Sequence, residues 1–170
     1  MIFISQSGIT DSSRAAEWDR WYLTHLRIMA TVPGVYTAQR FTTDTPGSPP
    51  SLALYGVESA AVFEGTYYQS VRGMGEWLPL VDRRYYHRNL FDGLDRAPEI
   101  GSGQVLLVAD RAEPEGSLAG LDFTWLRSVA IDRTTPYRGI AVVAANALPA
   151  LDDSIAVYRP GSPRFLNQSS

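Results

Sequence analysis

Between Asp11 and Gly34 the apolar positions recur at three- and four-residue steps: Ala15, Trp18, Tyr22, His25, Leu26 and Met29 fall on one helical face. Glu17, Arg20, Thr24 and Arg27 occupy the opposite, wetter side. Asp11, Ser12 and Ser13 each carry a short oxygen-bearing side chain that caps a helix start. Pro33-Gly34 supplies the stop, because Pro33 pushes the preceding residue out of the helical region and Gly34 tolerates positive φ. The pattern therefore predicts a helix whose aromatic stripe carries an imidazole near its centre. A histidine there needs a partner or a purpose.

Elsewhere in the first half the period changes to two. A short apolar run over residues 1–5 predicts a first strand, and Val35–Thr43 alternates as a second. The turn-rich Asp44–Pro50 leads into a third strand over Ser51–Val57. Glu58–Ser70 is weakly helical, Val71–Arg84 is a helical segment interrupted by Pro79, and Arg84–Phe91 predicts a fourth strand with Tyr85, His87, Asn89 and Phe91 on one side. The order β-α-β-β-α-β over residues 1–95 is that of a ferredoxin-like unit.

Residues 96–103 read as a linker, and beyond them the pattern restarts. A single ungapped shift of 103 residues lays Ile2-Phe-Ile4 on Val105-Leu-Leu107, Pro33 on Pro136, and Ser51–Tyr55 on Ser154–Tyr158. The expected second repeat, 104–160, is truncated to βαββ: a strand at 104–110, a helix near 118–132, strands near 138–146 and 153–159, and no second helix or fourth strand. Residues 161–170 form a tail that could lie as an arm over the first unit. In this register His25 is matched by Ser128 and Trp21 by Thr124, so any active site belongs to the first half. The fold class expected is α+β, two ferredoxin-like repeats forming a pseudo-dimeric α+β barrel.

Composition removes whole classes of chemistry. All 15 basic residues are Arg, so a Schiff base, a lysine-anchored pyridoxal phosphate and a P-loop lysine are excluded. Without Cys there are no disulfides, thiolate nucleophiles or Cys-type metal sites, which fits a cytoplasmic location. A net charge of −3 with scattered arginines gives no footprint for nucleic acid. No apolar run approaches the ~20 residues of a membrane helix, and the first residues lack the basic flank and apolar core of a signal peptide. Two histidines cannot make a three-His zinc site, and neither a dinucleotide loop nor a nucleophile elbow is present.

Glu17-x-Asp19-Arg20-Trp21-Tyr22-x-x-His25-Leu26, followed by Val32-Pro33-Gly34-Val35, resembles the first-helix signature of the EthD-like group of the dimeric α+β barrel superfamily. Ala38–Phe41 and Leu52–Glu58 resemble the same group's second and third strands. Leu23 and Thr24 stand where acidic residues often precede the histidine, and Arg27 replaces a frequent proline. The resemblance implies two units with facing sheets, and a range of activities spanning cofactor-free monooxygenases, lactone isomerases, polyketide cyclases and haem-dependent enzymes.

His25 is the leading catalytic candidate, because imidazole titrates near neutrality and serves as acid or base. The bland alternative is a core histidine satisfied by a carbonyl or a tyrosine. Tyr55 on the third strand and Arg40 on the second are candidates to steady an oxyanion, although Arg40 is equally suited to a salt bridge with Glu58 or a helix carboxylate. Trp18, Trp21, Tyr22, Tyr36 and Trp77 suit the walls of a cavity for a flat, mostly apolar ligand, with His87 at its rim. The reading is a lyase or isomerase of aromatic-compound metabolism, acting without cofactor or metal on a small aromatic, lactone or polyketide-like substrate. A cofactor-free monooxygenase and a non-catalytic binding or oligomerisation domain are the alternatives, with haem on His25 or His87 as the cofactor alternative. The edge left by a missing strand would suit a homodimer.

Overall fold

Ile2–Ser7 sends its side chains alternately to two buried faces, and that alternation organises the molecule. Ile2 and Ile4 join one core while Phe3 joins another on the opposite side of the strand. The structure, a computed structural model, describes residues 1–167; the last three residues of the expected tail lie outside them. The elements in chain order are β1 (Ile2–Ser7), α1 (Ala15–Met29), β2 (Val35–Thr42), β3 (Ser51–Val57), α2 (Thr66–Val71), β4 (His87–Asp92), β5 (Gln104–Arg111), β6 (Thr124–Ile131), β7 (Tyr137–Ala144), β8 (Ala156–Pro160) and β9 (Phe165–Leu166).

Eight strands close into an antiparallel ring in the order β1-β3-β2-β8-β5-β7-β6-β4 and back to β1. Closure leaves no free edge in the ring. The interior is filled by apolar side chains from every one of these strands, among them Ile4, Phe41, Leu54, Phe91, Leu106 and Tyr158. It is a packed core.

The outer face of the first half is a second core. There α1 lays Trp18, Tyr22, Leu26 and Met29 against Phe3, Ala53, Tyr55 and Leu90, each buried side chain contributing about 2 kcal/mol. Asp11 caps the turn that leads into α1 by accepting from the Ser13 backbone N–H. At the other end Gly34 takes φ +81°, a conformation only a residue without Cβ adopts freely. The outer face of the second half is covered differently. Loops carrying Leu118, Phe123 and Ile155 lie over Val105, Leu107 and Ala141.

The helix expected near 118–132 is not formed: Thr124–Ile131 is strand β6, paired between β4 and β7. Its alternation explains why. Leu126 points into the barrel and Trp125 out of it, lying over Gly139 of β7. The second half thus has four strands, β5 to β8, where three were expected, and the open edge expected of it is paired, β8 joining β5 to β2. The 103-residue register also swaps faces. Ile2 and Ile4 point inward, but their counterparts Val105 and Leu107 point outward; Tyr55 faces α1, whereas Tyr158 is inside the barrel. One residue of slip reverses every side chain. The tail does lie along the first half: β9 pairs with Thr37 and Ala38 of β2, and the Asn167 amide donates to the carbonyls of Val32 and Val35.

Among the described residues no helix is long and apolar enough to cross a membrane. A Cβ added at Gly139 would meet the Trp125 ring at 2.9 Å and Phe123 at 3.0 Å. Gly139→Ala is therefore expected to lower stability by about 1–3 kcal/mol in urea unfolding; an unchanged midpoint would mean that Trp125 does not cover this strand.

Candidate active site

The aromatic stripe of α1 does not seal completely against the sheet. Between them lies a cavity of about 30 Å3, space for one or two waters. Its floor is the outer face of β1, β3 and β4, through Phe3, Ser5, Tyr55 and Arg88; α1 supplies Tyr22, His25 and Met29; and the segment after α2 closes it with Arg72, Gly73 and Met74. Tyr68 of α2 and Tyr86 before β4 complete the wall.

His25 reaches the cavity on a ladder of rings. At i, i+3 and i+7 along α1, Trp18 stacks on Trp21 at 5.0 Å and 14°, and Trp21 stacks on His25 at 5.0 Å and 8°. Tyr22 meets the imidazole edge-on at 6.1 Å. Trp77 packs edge-on against Trp18, with the Arg14 guanidinium 4.4 Å from its ring centre. These contacts fix the plane of the imidazole, each pair contributing about 1 kcal/mol. They give its nitrogens nothing: among the described residues the His25 side chain makes no hydrogen bond or ion pair. Burial alone lowers its pKa to about 4, so the ring is neutral at pH 7 and presents a free lone pair.

The hydroxyls around it are equally uncommitted. Among the described residues the hydroxyls of Tyr55, Tyr68 and Tyr86, which line the cavity, make no hydrogen bond. Burial raises the Tyr55 hydroxyl well above the usual phenol range, and Tyr68 in the same direction. Both remain donors at neutral pH.

The cation facing this cavity from the floor is Arg88, not Arg40. The Arg88 Nε is buried without a partner. Its Nη2 donates to Asp132 at 3.2 Å, and Asp132 also accepts from the Arg88 backbone N–H at 2.8 Å. Asp132 sits in the β6–β7 turn between Ile131 at φ +70° and Arg133 at φ +50°. Left-handed backbone at a β-branched residue is strained, and here it accompanies the turn that holds Arg88. Arg40 is spent on structure: it donates to Asp19 of α1 at 2.7 Å and to Ser51 at 2.8 Å, and lies 4.5 Å over the Tyr22 ring.

Of the residues singled out from the sequence, the structure brings His25, Tyr22 and Tyr55 together around the cavity. Trp18, Trp21 and Trp77 stand behind them as packing. Tyr36 lies apart, under the Arg96 guanidinium. His87 cannot join: with Asn89 and Phe91 it points to the opposite face of β4, and its Nε2 is 3.0 Å from the Arg84 carbonyl. The same alternation puts Arg88 on the His25 side, a signal available in the sequence and overlooked because His87 drew attention to the wrong face. Among the described residues no three His, Asp or Glu converge as a metal-binding group.

A neutral, half-buried histidine makes stability pH-dependent. Between pH 4 and about 6.5 the unfolded chain binds a proton that the folded protein refuses, so stability falls as pH drops through this window and is complete above it. The contribution at stake is about 2–3 kcal/mol. Urea midpoints at pH 4.5 and 7.5 are expected to differ more in the wild type than in His25→Gln; equal differences would show that His25 does not carry the effect.

No protein-family model and no curated protein matches the chain. Among solved structures, one described as an anthrone oxidase-like protein superposes with a TM-score of 0.57 over 98% of this chain and 93% of its own, at 11% sequence identity. That likeness establishes the α+β barrel fold, an architecture shared with a protein described as enzyme-like.

Proposed function

We propose that this protein is a cofactor-independent enzyme that removes a proton from an activated carbon acid and passes the carbanion to molecular oxygen. The observation that carries the reading is the neutral, unpartnered His25 imidazole, held beside a space lined by free tyrosine hydroxyls and the Arg88 guanidinium. His25 accepts the proton. Its low pKa makes it a weak base, so the C–H bond must be acidified by a conjugated carbonyl or phenol. Tyr55 and Arg88 donate to the oxygen on which charge develops, in a site largely shielded from water. The carbanion then adds to oxygen, the imidazolium returns its proton to the peroxide, and loss of water converts CH2 and O2 into C=O and H2O.

Three observations support oxygen use over the lyase or isomerase reading. The neighbour of like fold is described as anthrone oxidase-like, the cavity of about 30 Å3 suits a diatomic beside the carbanion, and the site offers no second base to return the proton elsewhere. The same strand order in each half, β2-β3-β1-β4 and β6-β7-β5-β8, supports two ferredoxin-like units, the second stripped of both helices, and with the α1 motif supports an EthD-like relationship. We assign no cofactor: a tetrapyrrole does not fit the cavity of about 30 Å3 beside His25. A soluble cytoplasmic enzyme acting on aromatic compounds fits the absence of cysteine.

Anthrone in D2O tests the reading. Under argon the protein is expected to exchange the methylene protons, and in air to consume one O2 per anthrone. His25→Gln should lose both activities by about 10²–10⁴-fold while keeping its melting temperature at pH 7.5. Exchange without oxygen uptake would indicate an isomerase or lyase, and neither activity would indicate a binding domain. Arg88→Met is expected to slow exchange by at least tenfold, with no change in the protonation state of His25.

A further inference from the structure

The space beside His25 is an order of magnitude smaller than the ~300 Å3 or more of a ligand site, so a wall must move for any ring to enter. Most walls are held. Phe3, Tyr22 and Tyr55 are 4%, 1% and 2% exposed and belong to β1, α1 and β3. Met74 is equally buried, at 5%, yet it stands on none of these elements. It lies in the joint between α2 and the following turn of 3-10 helix, Gly75–Leu80.

The backbone on either side of it is built to turn. Gly73 has φ +94° and Gly75 φ +49°, and a Cβ on either would meet nothing within 4 Å, so the side chain of Met74 is what packs this segment against the core. Its anchors are one hydrogen bond at each end, Arg72 N–H to the Tyr68 carbonyl at 2.9 Å and Trp77 N–H to the Met74 carbonyl at 2.9 Å. The exposed Arg72 side chain donates to Gln69 Oε1 at 2.6 Å. Methionine is unbranched and gives up a packed position more readily than an aromatic ring.

We infer that Met74 fills the seat of the ligand's ring in the resting protein, and that the Arg72–Gly75 segment swings it out when an aromatic ligand enters. Met74 is then the residue that sets ligand size. The inference rests on the reading that the His25 cavity receives an aromatic molecule.

The chain has three methionines, so [13C-methyl]Met labelling of the full-length protein gives three signals, with Met74 assigned from Met74→Leu. On saturation with 1-naphthol the Met74 methyl is expected to move to a solvent-exposed position and to become at least fivefold more sensitive to a soluble nitroxide, while Met29 stays protected from the nitroxide and the His25 imidazole shifts. Met74→Ala is expected to bind naphthol at least tenfold more tightly. A His25 shift with Met74 still protected would overturn the gate and leave the site reading intact. A response at neither residue would overturn both, and a response at Met74 alone would separate the moving segment from His25 and equally overturn the proposal.

Discussion

The packing of α1 against the outside of the barrel is the contact on which the rest depends. All eight ring strands contribute apolar side chains to the barrel interior. The His25 cavity lies outside the ring, where the first half carries two helices and the second half only loops. Trp18, Tyr22, Leu26 and Met29 supply the apolar area that holds α1 in place, and the imperfect fit around His25 is what remains as the cavity. Stability and candidate function thus come from one interface.

That origin explains the electrostatics of the site. Water is largely excluded, which strips His25 of its proton and keeps Tyr55 protonated. Neither group has a side-chain hydrogen bond among the described residues. Arg88 adds an unpartnered Nε to the same wall. Leaving the buried Arg88 Nε unpaired costs the fold stability, of order 1–3 kcal/mol. A purely structural interface would have no reason to retain these groups together. By contrast Arg40, which looked equally suited to an oxyanion, is fully engaged with Asp19, Ser51 and the Tyr22 face, and its work is to fasten α1 to β2.

Much of the first half was legible because local rules and tertiary packing agree there. The three-four spacing from Trp18 to Met29, the Asp11 cap and the Gly34 stop all describe the helix that forms. The second half was misread because a repeat was imposed on it. Trp125, Leu126 and Ser128 alternate as a strand, but matching Ser128 to His25 cast them as a helix. The same match set Tyr158 beside Tyr55, although one lies within the barrel and the other under α1. Parity was the missing constraint: a register that is right to within one residue is wrong for every side chain of a strand. Arg88 was overlooked for a related reason, since no composition or motif distinguishes it from fourteen other arginines, and only the face of β4 on which it stands brings it to His25.

Catalysis as proposed needs His25 to be a neutral imidazole beside the cavity between α1 and the barrel. Nitrogen-15 NMR of the histidine side chains across pH 3–8 tests it most directly. The account requires one imidazole, lost in His25→Gln, to stay neutral through pH 6 and to take up its proton only near pH 4. Titration of that ring close to pH 6.5, as for a histidine in water, would contradict it.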